Sequence, residues 1–552
     1  MTDQNAQHRL RVAWLRPDPW TLGAAVIAAL VLAPVVSVVW IAFHPTENIW
    51  PHLMATVLPR YLTTTLILMA GVAVLTAAIG TGAAWLVGMY DFPGRRWLSP
   101  ALLFPLAIPA YVGAYALVDL TDYAGPLQSA LRAAFGWQSA RDYRFPEVRS
   151  LWAAVLVLSA ALYPYVYVLA RAAFAEQSGA TYEVARALGQ GPWGVFRRVG
   201  LPLARPAIAA GVALALMETV ADYGTVHHFG VQTLTTGIFT TWLDGGNAGG
   251  AAQIAGVILL VIFLLVALER ISRRGARFHA PARAQRPVER HRLHGAAAAL
   301  AFAACAAPVV AGFGLPVAVM LVHSLDAPAQ WLAPGLVAAL VNTLVVAGAA
   351  ALATVAAALF LVYGIRLAGR GTARAVLPLT TLGYATPGAV LAVGLLFPLA
   401  ALDHRLADGI QALTGHDPGL MITGTALALG LAYLVRFFGI AQGAVDSAFG
   451  RVSPSLPMAA RTLGRSAGGV LSVVYLPLMR RSVLTALLIV FVDCVKELPA
   501  TLLLRPFNYN TLSTRVFELA SLERLSEAAP AALLVMAVGL AAVAVMARSL
   551  RA

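Results

Sequence analysis

Along almost the whole chain, apolar residues come in blocks of about 20, parted by short stretches of Gly, Pro, Arg and other polar residues. Twelve blocks stand out. They cover residues 21–43, 62–90, 98–118, 151–170, 207–230, 251–268, 295–322, 336–364, 375–399, 421–445, 482–504 and 528–547. A helix rising 1.5 Å per residue needs about 20 residues to cross a hydrocarbon layer roughly 30 Å thick. Within lipid, each N–H and C=O must find its partner inside the segment, which a helix supplies and a lone strand does not. The pattern predicts an all-α polytopic membrane protein with about 12 transmembrane helices.

Composition sharpens this picture. Of 552 residues, 60% are apolar and 12% charged, against about 45–50% and 25% in soluble domains. A soluble enzyme, a disordered chain and a disulfide-built secreted scaffold are excluded. Cys305 and Cys494 fall inside apolar blocks and read as small buried hydrophobes. A net charge of +14 would suggest nucleic acid in a soluble protein, but its distribution excludes that partner. With the N-terminus inside, the cytoplasmic segments hold 28 of the 39 Arg and Lys residues and the outer loops nine. Arg436 and Lys496 lie within spans. This bias puts both termini in the cytoplasm. Arg9, Arg11 and Arg16 give the first block the look of a signal peptide, yet its length and the eleven blocks after it favour a retained helix. Residues 270–294 carry Arg270, Arg273, Arg274, Arg277, Arg283, Arg286, Arg290 and Arg292. They form a basic cytoplasmic linker that pins topology and can touch anionic lipid.

The linker falls at the chain's midpoint and separates two copies of one pattern. Glu183-Val184-Ala185-Arg186-Ala187-Leu188-Gly189, then Val199-Gly200-Leu201-Pro202, is answered by Met458-Ala459-Ala460-Arg461-Thr462-Leu463-Gly464, then Val474-Tyr475-Leu476-Pro477. The offset is 275 residues throughout. Thr64-Thr65-Leu66 answers to Asn342-Thr343-Leu344, and Ala107-Ile108-Pro109 to Ala385-Thr386-Pro387, at 278. The chain is therefore a tandem duplication: a first half over 1–269 with a cytoplasmic loop at 175–206, and a second over 295–552 with its loop at 447–481. Six spans per half give both halves the same topology about an axis along the membrane normal, with the substrate path between them. In each loop one helical piece (180–188 in the first copy) is stopped by a glycine suited to a helix C-terminus. A second piece (194–199) follows, and Leu-Pro opens the next span. Two such short helices make a compact knob that can insert into a groove on a partner.

The loop resembles the signature of binding-protein-dependent ABC importer permeases, which docks on the ATPase subunit. The first copy matches at Glu183, Ala185, Gly189, Leu201 and Pro202, and the second at Ala459, Ala460, Gly464, Leu476 and Pro477. Met458 stands where the family has Glu, so the two loops would meet the ATPase with different chemistry. Tyr163-Pro164-Tyr165-Val166-Tyr167, Glu218 through Val226, and Lys496 through Pro506 are similar to the fused ferric-iron permeases. The resemblance implies the ABC importer permease fold, a bacterial inner membrane, a cytoplasmic ATPase dimer and a periplasmic ferric-binding protein as partners. No cofactor is implied. Independently, Lys496 is the only lysine and follows Val495, so no phosphate loop of the Gly-x4-Gly-Lys type exists here. Any ATP hydrolysis belongs to another chain, and this one is not an enzyme.

Two acids fall in the span after each loop. At the 275 offset Glu218 answers to Asp493 and Asp222 to Glu497, so each pair sits at i and i+4 on one helical face. A carboxylate at mid-bilayer costs about 2.5 kcal/mol or more and needs a cavity or a partner. Two readings stand side by side. The acids line the translocation path, where a hard cation favours oxygen ligands, or they tie helices together through Lys496, Arg436 or backbone donors. His227-His228 reads as a polar pair at the outer end of that helix, and Tyr163, Tyr165 and Tyr167 as packing aromatics. The outer loops 121–147 and 506–527 are candidates for docking a periplasmic protein, by exposure. Thiamine, aminoalkylphosphonate or polyamine are the alternative cargoes. An ion-coupled secondary transporter is the alternative mechanism, against which the two loops argue.

Overall fold

The computed structural model describes residues 19–274, 290–368, 376–377, 380, 383 and 386–549. Arg9, Arg11, Arg16, Arg277, Arg283, Arg286, Ala385 and much of the block beginning at 375 lie outside them. The first repeat contains α1 (Pro19–Phe43), α2 (Leu58–Met89), α3 (Arg95–Ala101), α4 (Ala110–Thr121), α5 (Pro126–Phe135), α6 (Leu151–Ala175), α7 (Gly179–Ala187), α8 (Leu201–Ala221), α9 (Gly224–His228), α10 (Leu234–Phe239) and α11 (Ala248–Arg274). The second contains α12 (Gly295–Val309), α13 (Leu315–Asp326), α14 (Leu336–Ala368), α15 (Gly388–Thr414), α16 (Ala426–Gly450), α17 (Ser455–Thr462), α18 (Leu476–Val495), α19 (Pro499–Leu504), α20 (Leu512–Ser521) and α21 (Leu525–Ser549). A two-residue parallel strand pair, β1 (Tyr90–Asp91) with β2 (His291–Arg292), joins the end of α2 to the start of the second repeat.

Among the described residues ten helices are long and apolar enough to cross a membrane. An eleventh crossing results if the pair Arg95–Ala107 and Ala110–Phe135, bent by 95°, counts as one span. The bend has a covalent cause: Pro105 and Pro109 flank Ile108, which is extended. The remaining expected crossing, 482–504, corresponds to α18. That helix carries Arg480, Arg481 and Asp493 and stops at Val495.

The chain packs as two units that do not follow the order of the repeat. One gathers Met1–Trp40 with Thr343–Cys494 and Leu504–Phe507; the other gathers Ile41–Asn342, Val495–Leu503 and Asn508–Ala552. In the first unit α1 lies on second-repeat helices. The Trp20 ring stacks on Phe360 at 4.7 Å and meets Tyr363 edge-on at 5.1 Å. A Cβ on Gly394 would come within 2.1 Å of the Pro34 carbonyl oxygen, so only glycine allows that approach. In the second unit the counterpart of α1, α12–α13, lies on first-repeat helices. Phe104 and Phe313 rings are 5.2 Å apart, and a Cβ on Gly312 would come within 2.2 Å of the Ala160 carbonyl oxygen. Between helices in lipid no hydrophobic drive exists, so association rests on such close backbone approach.

Within the second unit α6 packs against both α2 and α8. A Cβ on Gly80 would sit 2.7 Å from Val166 Cβ, and one on Gly211 2.7 Å from Val166 Cα. Tyr163 and Tyr167 are fully buried there, and Tyr167 donates to the Ser99 carbonyl at 2.9 Å. These are the packing aromatics expected. Cys305 and Cys494 are buried. At the other end His323 Nε2 lies 3.0 Å from Asp119 Oδ1 and its Nδ1 3.1 Å from Ser526 Oγ, while Arg149 pairs with Glu523 at 3.0 Å. The loop from residue 121 is ordered by α5. Arg132 donates to Tyr143 Oη at 3.0 Å and lies 4.1 Å from the centre of the Tyr123 ring. Backbone N–H groups of Ser139 and Gln138 hold the Asp142 carboxyl below the usual carboxylate range. The other loop proposed for docking, 506–527, is helical at its centre, where α20 buries Leu512, Ser513, Thr514, Val516, Phe517 and Ala520, while Phe507, Asn508 and residues 521–524 at its two ends are exposed.

Gly80→Val and Gly211→Val should each destabilise the α2–α6–α8 packing by roughly 1–3 kcal/mol. The Cβ on Gly88 meets nothing within 4 Å, so Gly88→Ala should leave thermal stability in detergent nearly unchanged. Equal melting temperatures for all three variants would contradict this packing.

Candidate functional site

The two loops fold alike, residue for residue. In the first, α7 is closed two residues past its end by Gly189, whose φ of +79° is left-handed. Gly189 N–H bonds the Arg186 carbonyl at 2.8 Å and Gln190 N–H the Ala185 carbonyl at 3.1 Å. In the second, α17 is closed in the same way by Gly464 with φ +81°, and the matching bonds run from Gly464 N–H to the Arg461 carbonyl at 3.0 Å and from Arg465 N–H to the Ala460 carbonyl at 3.1 Å. This double bond is the glycine-dependent C-terminal cap. A one-turn helix follows in each (Pro192–Val195, Ala467–Val470), then a π-turn (Phe196–Gly200, Leu471–Tyr475), then α8 or α18 with Pro202 or Pro477 in its first turn. Ala185 is buried, while Glu183, Pro202, Ala459 and Pro477 are exposed and Leu201, Ala460 and Leu476 half-buried. Val184, Leu188 and Trp193 in the first loop, and Met458, Leu463 and Val473 in the second, are more than half exposed. Each loop thus carries an exposed apolar knob.

An aromatic floor supports each knob, and the sequence reading missed it. Trp85 meets Phe174 at 5.2 Å, Phe196 at 5.0 Å and Tyr182 at 5.9 Å. Tyr363, which answers to Trp85, lies 5.9 Å from Phe449, the counterpart of Phe174, and donates to the Ala467 carbonyl at 2.6 Å. Tyr182 is buried, which pushes its phenol pKa up, and it bonds Gln177. Pro457 takes its place in the second loop, and α17 buries none of its residues.

The helices that leave the loops break inside the apolar region. The i, i+4 reading of the acids does not survive this. α8 ends at Ala221 and α18 at Val495, so Glu218 and Asp493 sit on last turns, half-buried, while Asp222 and Glu497 lie beyond them. Asp222 is extended (φ −66°, ψ 133°). Its Oδ1 accepts from Thr225 N–H at 3.0 Å and Val226 N–H at 3.1 Å, and its Oδ2 from Thr225 Oγ1 at 2.9 Å. Glu497 accepts from the two equivalent amides and from a hydroxyl one position further on. Oε1 accepts from Ala500 N–H at 3.0 Å, and Oε2 from Thr501 N–H at 3.0 Å and Thr501 Oγ1 at 2.8 Å. Each carboxylate therefore caps the short helix after the break, α9 or α19. The broken helix is tied off from the other side by a hydroxyl. Thr235 donates to the Val220 carbonyl, and Ser513 to the Val495 carbonyl at 2.7 Å. Both donors sit inside matching capping boxes, Thr233–Thr236 and Thr511–Thr514. The repeated Thr-Leu-Thr-Thr and Thr-Leu-Ser-Thr, 278 residues apart, was the sequence signal that could have found them.

The second unit brings both breaks together around Tyr111. A Cβ on Gly224 would stand 2.8 Å from Tyr111 Cβ and 2.9 Å from Leu498 Cδ2. His227 and His228 lie on α9, a separate helix, rather than at the end of α8. His228 meets Tyr115 edge-on at 4.5 Å, and Tyr223 stacks on Phe239 at 3.7 Å with Phe517 5.6 Å away. Arg436 is buried on α16, its guanidinium 5.6 Å from the Phe437 ring. No group of three or more His, Cys, Asp or Glu able to hold a resident metal occurs among the described residues.

Residues 78–277 match the model of the binding-protein-dependent transport system inner membrane component. The molybdenum transport system permease protein ModB of Escherichia coli K12 is 30% identical over 203 residues, which is 35% of this chain and 85% of ModB. The chain belongs to this permease family. Over nearly its full length it is similar to the Fe(3+)-transport system permease protein FbpB 2 of Haemophilus influenzae, 26% identical across 86% of this chain and 87% of that one. A probable sulfate transport system permease protein, cysT, of Nephroselmis olivacea is 28% identical over 37% of this chain and 72% of its own length. The protein is thus a multi-pass permease component of a transport system.

For this permease, Asp222→Ala and Glu497→Ala should each cost about 0.5–2 kcal/mol through loss of the cap, whereas Asp222→Asn keeps an acceptor and should cost a few tenths. Thermal melting in detergent separates the two classes. Equal melting for Asp222→Ala and wild type would remove the capping role.

Proposed function

We propose that this permease imports ferric iron across a bacterial inner membrane, with both termini cytoplasmic. A separate ATPase dimer would drive it and a periplasmic ferric-binding protein would supply it. The observation that carries the reading is the pair of loop knobs, alike in cap, π-turn and aromatic floor. An ATPase homodimer offers two like grooves, and two like knobs suit them. Closure of the dimer would pull both knobs, and α8 and α18, which begin at the knobs and end at Glu218–Asp222 and Asp493–Glu497, would carry the motion to the breaks. The path would thereby open alternately to each side.

Iron is supported by the ferric permease relative spanning 86% of this chain and by the chemistry at the breaks. Asp222, Glu497, Thr225, Thr501 and Tyr111 offer oxygen atoms there, which a hard trivalent cation prefers. Oxyanions such as molybdate or sulfate, the cargo of other relatives, would meet two carboxylates of like charge. The test is uptake into proteoliposomes holding the permease, its ATPase and the binding protein. Ferric iron should accumulate with ATP, and molybdate and sulfate should not. Accumulation of an oxyanion instead would overturn the cargo.

Two variants probe the mechanism. A β-branched residue at a left-handed φ stores about 1–3 kcal/mol of strain, so Gly189→Val with Gly464→Val should abolish uptake and uncouple ATP hydrolysis while the protein still inserts. Normal transport would remove the docking role. Glu218→Gln with Asp222→Asn should lower iron uptake several-fold at normal expression and with stimulated ATPase intact. Unchanged uptake would take these acids out of the path.

A further inference from the structure

The strand pair β1–β2 encloses a polar pocket that neither the loops nor the breaks use. It measures about 450 Å³, and Arg95, Arg96, Trp97, Arg292 and His294 are among its lining residues. It lies at a membrane boundary by construction: β1 begins one residue after α2 ends, and β2 stops three residues before α12 starts. We infer that this pocket holds the phosphate headgroup of an anionic membrane lipid, in the leaflet on the side of the docking loops.

The charge count leads there. The pocket's one acid, Asp91, is taken by Arg95 Nε at 3.0 Å, and Arg95 Nη1 also donates to the Val87 carbonyl at 3.3 Å. Arg95 is thereby fixed as part of the wall. Arg96 and Arg292 are exposed and make no ion pair among the described residues. Arg290 stands nearby, its guanidinium pKa lowered by partial burial and by the positive charges of Arg95 and Arg171. Cations crowded in this way are stabilised by a bound anion. A phosphodiester suits them because guanidinium groups bond its oxygens in pairs. Two features favour a lipid over free phosphate. Trp97 is 82% exposed at the boundary, where indole rings settle among headgroups. Phe92 and Leu293 line the same pocket and would face the glycerol and first methylenes. Basic pockets on this face of membrane proteins take anionic headgroups by the same electrostatics. The lipid would clamp the end of α2 to the segment that opens the second repeat. This holds whichever solute is carried.

The test uses the full-length permease in nanodiscs of equal phosphatidylglycerol and phosphatidylcholine. Native mass spectrometry after release into mild detergent counts the retained lipid. Wild type should retain phosphatidylglycerol over phosphatidylcholine by roughly tenfold or more, and excess inorganic phosphate should not displace it. Arg96→Gln with Arg292→Gln, both at exposed positions, should lose the preference, and Arg60→Gln, at the far end of the same span, should keep it. Monodisperse elution at an unchanged melting temperature shows that the double variant is folded. Three outcomes would overturn the inference. One is wild type without preference. Another is a double variant that retains lipid like wild type. The third is displacement by inorganic phosphate, which would make the pocket a soluble-anion site. If the double variant keeps its lipid but loses ATPase binding, the pocket serves a protein partner, and the lipid assignment falls.

Discussion

A helix that stops inside a bilayer leaves carbonyls and amides facing hydrocarbon, and each such group left alone costs several kcal/mol. Two helices of this permease stop that way, at Ala221 and Val495. Much of the surrounding structure answers that cost. Asp222 and Glu497 each accept from two amides and a threonine hydroxyl at the start of the next short helix, and so engage both carboxylate oxygens. Thr235 and Ser513 cover carbonyls left behind. A buried carboxylate would be costly by itself, and an open helix start would be too. Placed together they offset each other, which is how a break can be kept at this depth.

This coupling bears on what the acids can do for a solute. Each carboxylate already accepts at least three hydrogen bonds, so a passing cation would share its oxygens rather than find them vacant. Shared ligands bind weakly, and weak binding suits a path that must release its cargo. Glu218 and Asp493 sit one turn earlier, on regular helix. The two pairs of acids therefore differ in kind, although a simple count of residues treats them alike.

The knobs add a second asymmetry within an otherwise matched pair. Both have the glycine cap, the π-turn and an aromatic floor. The first buries Tyr182 under its helix and shows Glu183, while the second has Pro457 and Met458 at those places. Cap and floor set the shape of the knob, and the exposed side chains set its surface. A duplicated chain can thus keep one shape twice while its two faces diverge.

The sequence by itself determined the membrane class, the repeat and its offset, the placing of both knobs and the glycines that end them. These rest on interactions between residues close along the chain: helical hydrogen bonds, hydrophobic runs and a backbone angle only glycine takes readily. It also showed which acids were equivalent. It did not show that Asp222 and Glu497 lie past the helix ends, because an apolar run continues through the break and hydropathy cannot tell a helix from a helix, a turn and a second helix. Nor did it show that the centre of 506–527 is a helix with a buried face, that Tyr111 sits where the breaks meet, or that α1 and α12–α13 each pack among helices of the other repeat. Those facts depend on contacts such as Gly394 with Pro34, Gly312 with Ala160 and Gly224 with Leu498, made by residues more than a hundred positions apart. Only the folded chain brings those residues together, since close packing in lipid selects partners by shape and not by distance along the sequence.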